Sequence, residues 1–285
     1  MTLVRQEASK HCERSLNGET VGGGSHTAAM YSTAVRRQAL ELIHSGASLR
    51  SVSMSIGITR STLREWRDDP EKAQTARADC PRCGDDPVLP EPGADYAYLL
   101  GLYLGDGCIS VSGNPAKGVW KLRVICADAW PGLVQECVLA MQSVRPTSKV
   151  MLQRKQGCQE VASCSRHWPC LFPQHRPGKK HLRQIELQPW QQAIVSELPG
   201  EFARGLFHSD GYRGMNRVRR TLADGDRWYE YPRYLFSNKS TDILGLCGQA
   251  LDRLGVEWRF ARWDMISVAK REAVARLDAH VGPKY

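Results

Sequence analysis

Two aspartates stand out in this sequence for what surrounds them. Asp106 closes the run Leu99-Leu100-Gly101-Leu102-Tyr103-Leu104-Gly105-Asp106-Gly107, and Asp210 closes Ala203-Arg204-Gly205-Leu206-Phe207-His208-Ser209-Asp210-Gly211. The acids lie 104 residues apart. Each run carries two small residues four positions apart, Gly101 and Gly105 in one, Gly205 and Ser209 in the other. Residues four apart share a helix face, so two such helices can pack backbone to backbone. Each helix would then end in a carboxylate facing the negative end of its dipole, a cost of about 0.3–1 kcal/mol. Two carboxylates brought together also repel. A locally unfavourable placement that occurs twice at matching positions points to a site. A divalent cation resolves it, because Mg²⁺ accepts one or two protein carboxylates together with water and phosphate oxygens. Gly107 and Gly211 follow the acids and are expected to stop each helix in the left-handed conformation.

These runs resemble the two motifs of a single-chain LAGLIDADG homing endonuclease, and the stretch from Tyr234 to Ile243 resembles that family's strand-to-helix segment. The resemblance spans residues 95–285. It implies an α+β fold, a pseudo-two-fold duplicated αββαββα arrangement whose antiparallel sheets form a saddle over double-stranded DNA. It implies that Asp106 and Asp210 are catalytic and hold Mg²⁺ at the scissile phosphates of a site-specific endonuclease. It also implies a monomeric main domain, one chain standing in for a dimer. Some proteins with this fold and a helix-turn-helix are transcriptional regulators that bind without cutting, so the resemblance leaves a non-catalytic DNA-binding alternative open. Arg204 and His208 are polar on a helix meant to pack tightly, and both are expected to face outward.

Elements that could position the acids follow the same duplication. Leu133, Val134, Cys137, Val138 and Met141 give Pro131–Val144 one apolar helical face, and Ile243, Leu246, Cys247, Ala250 and Leu251 do so for 242–254. Asp242 is expected as the N-cap of the latter and Gly255 as its left-handed stop. Closing helices are expected at about 190–198 and 271–280, dividing the domain into halves of about 95–198 and 199–285. The intervening strands are rich in cations: Lys121, Arg123, Lys149, Arg154 and Lys155, then Arg213, Arg217, Arg219, Arg220, Arg227, Arg233, Arg259 and Arg262. As a set they suit phosphates and base edges.

Ahead of this domain, residues 1–29 lack periodicity and read as a disordered tail, with Met30 a candidate alternative start. Residues 30–68 read as a helix-turn-helix. Val35, Ala39, Leu42 and Ile43 mark a first helix, Leu49, Val52 and Ile56 a second, and Gly57 a turn. Thr59 caps a third helix with Leu63 and Trp66 inward. Arg60, Ser61, Thr62, Arg64 and Arg67 face outward there, with Arg60, Ser61 and Arg64 placed to meet base edges. The run Gly57–Trp66 resembles the helix-turn-helix of transposases and resolvases. Residues 69–94 are a Pro-rich linker holding Cys80-x-x-Cys83. A structural zinc needs four ligands; His167 and Cys170 could complete this pair, with Cys158 and Cys164 as alternatives.

Composition agrees with a polyanionic partner: the chain of 285 residues has a formal net charge of +9. Its first residues have no apolar signal core, and no run approaches the roughly 18 apolar residues of a membrane span, so a cytoplasmic, nucleoid-associated protein is expected. The ten cysteines then read as thiols, with Cys108, Cys126, Cys137 and Cys247 in apolar, core-like settings.

Overall fold

The computed structural model describes residues 33–70, 90–115, 118–222 and 225–284. The tail expected at 1–29, Met30, and the linker positions Cys80 and Cys83 lie outside these residues. The chain divides into a helical unit that includes the segment before Pro90, and a larger unit containing Glu91–Ser112 and the chain from Trp120 on.

Three helices make up the described helical unit: α1 (Thr33–His44), α2 (Leu49–Ile56) and α3 (Arg60–Asp68). Ser48 caps α2 by accepting from Ser51 N, and Gly57 ends it at φ 71°, where a side chain would be strained. Thr59 caps α3 through Thr62 N. Ala39, Leu40, Val52, Ile58, Leu63 and Trp66 form a small core. Arg60, Ser61, Arg64 and Arg67 are exposed, and Arg67 pairs with its neighbour Asp68 at 2.8 Å.

The larger unit repeats one pattern. Its first half runs α4 (Gly93–Asp106), β1 (Gly107–Val111), β2 (Trp120–Ala127), α5 (Pro131–Val144), β3 (Val150–Lys155), β4 (Cys158–Ser165) and the single-turn α6 (Trp168–Leu171). After α7 (Pro189–Glu197) comes the second half: α8 (Pro199–Asp210), β5 (Gly211–Leu222), β6 (Gly225–Ser237), α9 (Thr241–Arg253), β7 (Arg259–Arg262), β8 (Met265–Val268) and α10 (Arg271–Val281). Each half forms a four-stranded antiparallel sheet, in the orders β1-β2-β4-β3 and β5-β6-β8-β7. The fold is therefore α+β, with αββαββα occurring twice. Strand residues such as Leu122, Val124 and Val161, and Tyr234, Phe236 and Ile266, join the helices in a shared apolar core. Cys108, Cys126, Cys137 and Cys247 are buried in this unit.

Helix ends differ from the sequence expectation in three places. Gly107 and Gly211 are extended (φ −91° and −85°) rather than left-handed. Glycine is required there for room: a Cβ on either would sit 2.5 Å from the Cα of Tyr103 or Phe207. The N-cap of α9 is Ser240, whose hydroxyl accepts from Ile243 N. Asp242 instead spends its carboxylate on Ile185 N, at 2.7 Å. Helix α7 matches the closing helix expected near 190–198, but the short α6 intervenes ahead of it, fixed by Trp168 donating to the Ser163 carbonyl.

Candidate active site at the paired helix ends

Helices α4 and α8 touch backbone to backbone. A Cβ on Gly101 would lie 2.6 Å from both Leu206 N and the Phe202 carbonyl oxygen. One on Gly205 would collide with the Tyr98 carbonyl and lie 3.0 Å from Gly101 Cα. Gly105 faces Ser209, and a Cβ there would be 2.5 Å from the Ser209 Cβ. The Ser209 hydroxyl is satisfied within its own helix by the Leu206 carbonyl at 2.8 Å. The four small residues thus occupy the contact itself.

That contact brings the two acids to one end. Asp210 Oδ2 lies 3.0 Å from the place a Gly105 Cβ would take, so the second carboxylate reaches the residue just before Asp106. Both acids are half-buried. Asn238, the first residue after β6, donates from Nδ2 to Asp210 Oδ2 at 2.8 Å, while its Oδ1 accepts from Ser240 N at 2.8 Å. The amide is therefore held from both sides and fixes the Asp210 carboxylate. Asp106 lies near a thiol pair: Cys137 is pushed up by its hydrogen bond with Cys126, by burial, and by the charge of Asp106.

Two lysines close the same end. Lys180 donates to the carbonyls of Tyr103, Leu104 and Gly105, the last two at 3.1 Å each. Lys284 donates to the Gly211 carbonyl at 2.8 Å. Cations at helix C-termini offset the dipole that makes the acids unfavourable there. Lys180 and Lys284 are separated by the same interval as Asp106 and Asp210, and each ends a Gly-x-Lys triplet whose glycine has positive φ, Gly178 at 87° and Gly282 at 67°. Sequence reasoning missed this pair, and the repeated triplet was the signal that could have found it.

Arg204 and His208 do not both face outward. His208 is buried. Its Nε2 is 2.8 Å from the Val281 carbonyl, so that nitrogen carries the proton, and Nδ1 lies 3.0 Å from the hydroxyl of Tyr98, which itself donates to Glu136 at 3.0 Å. Arg204 is partly buried, 2.7 Å from Glu136 and 4.4 Å above the Tyr98 ring. Burial, then the Arg204 charge, push the His208 imidazole down to about 4. The network ties α4, α5, α8 and α10 together.

The pleat sorts the strand cations, since neighbours on a strand face opposite sides. Directly paired residues share a face. The register therefore places Arg213, Arg217 and Arg219 on the side of Tyr234 and Phe236, and Arg220, Arg227 and Arg233 on the other, with Tyr212, Tyr229 and Tyr231. Each of the first three meets an acid: Arg213 with Asp278 at 2.6 Å, Arg217 with Glu230 at 3.3 Å, and Arg219 with Asp226. In the first half, Lys121, Arg123 and Lys155 lie on the face turned away from the core residues Leu122 and Val161, whereas Arg154 shares their side. Lys149 precedes β3, and Arg259 and Arg262 are exposed on β7. Consecutive cations such as Arg154 and Lys155 thus do not serve one surface.

Two carboxylates fit a magnesium ion, which completes its shell with water and substrate oxygens. No cluster of three or more His, Cys, Asp or Glu suited to a metal occurs among the described residues. His167 and Cys170 are both buried at the start of α6, where Cys170 N donates to the His167 carbonyl; no zinc set assembles around them among the described residues.

No family model matches the sequence, and no curated protein does. Among solved structures the chain is similar to mesophilic variants of the homing endonuclease I-DmoI, at 17% identity over 66% of this chain and 96% of that one, with a TM-score of 0.43. It is similar to the LAGLIDADG meganuclease I-AabMI bound to uncleaved DNA, at 10% identity over 65% and 82%, with a TM-score of 0.41. It is also similar to the N-terminal LAGLIDADG domain of WhiA, at 10% identity over 68% and 83%, with a TM-score of 0.37. No helix among the described residues is long and apolar enough to cross a membrane.

Proposed function

We propose that this protein binds double-stranded DNA and hydrolyses its phosphodiester bonds at Asp106 and Asp210 with Mg²⁺, acting in the cytoplasm on nucleoid DNA. One observation carries the reading: two helices pack backbone to backbone and end together in two carboxylates, each helix end also bearing a lysine. Asp106 and Asp210 would hold the metal, which when bound supplies a Lewis acid and an acidified water. Asn238 orients the Asp210 carboxylate. Lys180 and Lys284 hold the helix ends and put positive charge where a phosphoryl group gains negative charge. Lys121, Arg123 and Lys155, with Arg220, Arg227 and Arg233, offer cations on the sheet faces turned away from the core, where phosphates and base edges would be met. The helical unit adds Arg60, Ser61 and Arg64 on its third helix as a helix-turn-helix reader.

That second, separate module favours one rival, a regulator that binds at a fixed site and does not cut. Incubation with a randomised duplex library and Mg²⁺ separates the two. The nuclease reading expects double-strand breaks that vanish with chelator and in both Asp106→Asn and Asp210→Asn, with binding retained. Sequence-specific binding by the unaltered protein without any break, unchanged in both variants, would establish the regulator instead.

A further inference from the structure

Glu160 is an acid where the proposed function wants cations. It lies on β4, on the sheet face turned away from the core, opposite Ile125 of β2 and Gln153 of β3. Yet it is only 2% exposed. Two lysines cover it from either side: Lys121 Nζ is 2.7 Å from Oε1 and Lys155 Nζ 2.6 Å from Oε2. Burial works to raise its pKa, but the hydrogen bonds from Lys121 and Lys155 outweigh it and hold the carboxyl below its usual range. The acid is therefore ionised and paired, as a buried charge must be.

The second half has no such acid at this place. Gly107 pairs with Val124 and Gly211 with Phe236, which aligns the two sheets. One step further along, Ile125 faces Glu160, whereas Ser237 faces Met265. Arg233 takes the place of Lys121 and bonds Ser267 at 2.9 Å instead of an acid.

An ammonium has three donors, and each lysine spends one on Glu160. Anchored on the two oxygens of one carboxylate, the ammoniums become neighbours with a fixed spacing and lose the rotamer freedom of free lysines. One of their two charges is cancelled, so little is gained from a phosphate, whose affinity comes from counterion release. A phosphate oxygen would also meet the acid. The uncharged acceptors of a guanine edge, O6 and N7, carry no such penalty and are the usual major-groove partners of a lysine.

We infer that Lys121, Glu160 and Lys155 form a guanine-reading triad confined to the first half, with Glu160 the positioning residue that turns two lysines from phosphates to bases. This rests on the sheet face binding duplex DNA. The triad makes specificity unequal between the halves and locates a guanine preference under β2, β3 and β4.

Glu160→Gln keeps the shape and removes the charge; Lys155→Gln removes one ammonium. Each full-length protein is bound to a randomised duplex library, bound sequences are read, and affinity for a random duplex is measured across salt concentrations, with thermal melting to establish folding. The unaltered protein is expected to enrich guanine at one or two positions of one half-site. Both variants lose that preference by roughly tenfold while keeping preferences elsewhere. Their salt responses move in opposite directions: the log–log slope steepens by about 0.9 in Glu160→Gln, which frees a charge, and flattens by a similar amount in Lys155→Gln. A merely structural Glu160 would move the slope by its charge alone and leave the guanine preference in place, so loss of that preference in the folded variant marks the positioning role. Unchanged base preferences in folded Glu160→Gln, or slopes shifting the same way in both variants, would overturn the triad while leaving DNA binding intact. No duplex binding by the unaltered protein would overturn the underlying reading as well.

Discussion

Asn238 shows how much one amide can add to an acid that local rules disfavour. Its donation to Asp210 at 2.8 Å, with its own oxygen engaged by Ser240 N, fixes one carboxylate rotamer at the end of α8. A partner that orients a ligating carboxylate is typically worth 10–100-fold in metal affinity or activity. Asn238→Ala is therefore expected to slow cleavage by roughly tenfold or more, rescued in part by raised Mg²⁺, with duplex affinity in chelator unchanged; cleavage rates across Mg²⁺ concentrations check this. His208 supplies a second residue-level test. Its imidazole is neutral when folded because burial, then Arg204, lower its pKa to about 4. The unfolded chain takes up that proton near pH 6.5. His208 therefore contributes stability fully above about pH 6.5, and the contribution declines as pH falls towards 4. His208→Gln can keep both hydrogen bonds without titrating, so its stability, measured by denaturant titration, is expected to fall less over that interval than the unaltered protein's.

At the level of elements, the close approach of α4 and α8 has a sharp test. A methyl on Gly101 or Gly205 meets backbone atoms that cannot rotate away. Gly101→Ala and Gly205→Ala are each expected to destabilise the fold by about 1–3 kcal/mol. Gly245 lies within α9 with open space where its Cβ would go, so Gly245→Ala is expected to be neutral or to stabilise by up to about 1 kcal/mol. Denaturant unfolding of the three variants measures both effects. The helix pair was legible because a four-residue spacing of small residues has one consequence on a helix. Helix α5 was legible too, its Pro131 start and apolar stripe agreeing. What was not legible depended on distant partners. Asp242 looks like a cap until Ile185 N claims it. His208 looks misplaced until Tyr98 and Val281 are beside it. Lys180 and Lys284 bond backbone carbonyls, and only the repeated Gly-x-Lys triplet marks them in the sequence. Strand cations were overcounted for a different reason: charge density along a sequence carries no pleat, and Arg219 and Arg220 part company once the register is set.

Across the whole molecule the duplication is unequal, and the inequality lies in reach. Strands β1 and β2 have 5 and 8 residues, whereas β5 and β6 have 12 and 13. At about 3.3 Å per residue, β5 extends roughly 23 Å further than β1. That is roughly six or seven base pairs at about 3.4 Å each. The extension is chemically suited to follow a groove: a two-stranded ribbon fits the major groove. Its face away from the core carries Arg220, placed 5.6 Å over the Tyr229 ring, with Arg227 paired directly opposite Arg220. A protein built on equal halves would protect its cleavage site symmetrically. This one is expected to protect several more base pairs on the side of the second half, visible by hydroxyl-radical footprinting of a selected target. The double variant Arg220→Ala and Arg227→Ala is expected to erase protection only at that far end, to flatten the salt slope by about 0.9 for each phosphate no longer neutralised, and to leave the cut position unmoved. Equal protection on both sides of the cut, or a cut that shifts when these arginines are removed, would show that the long hairpin does not lie along the duplex.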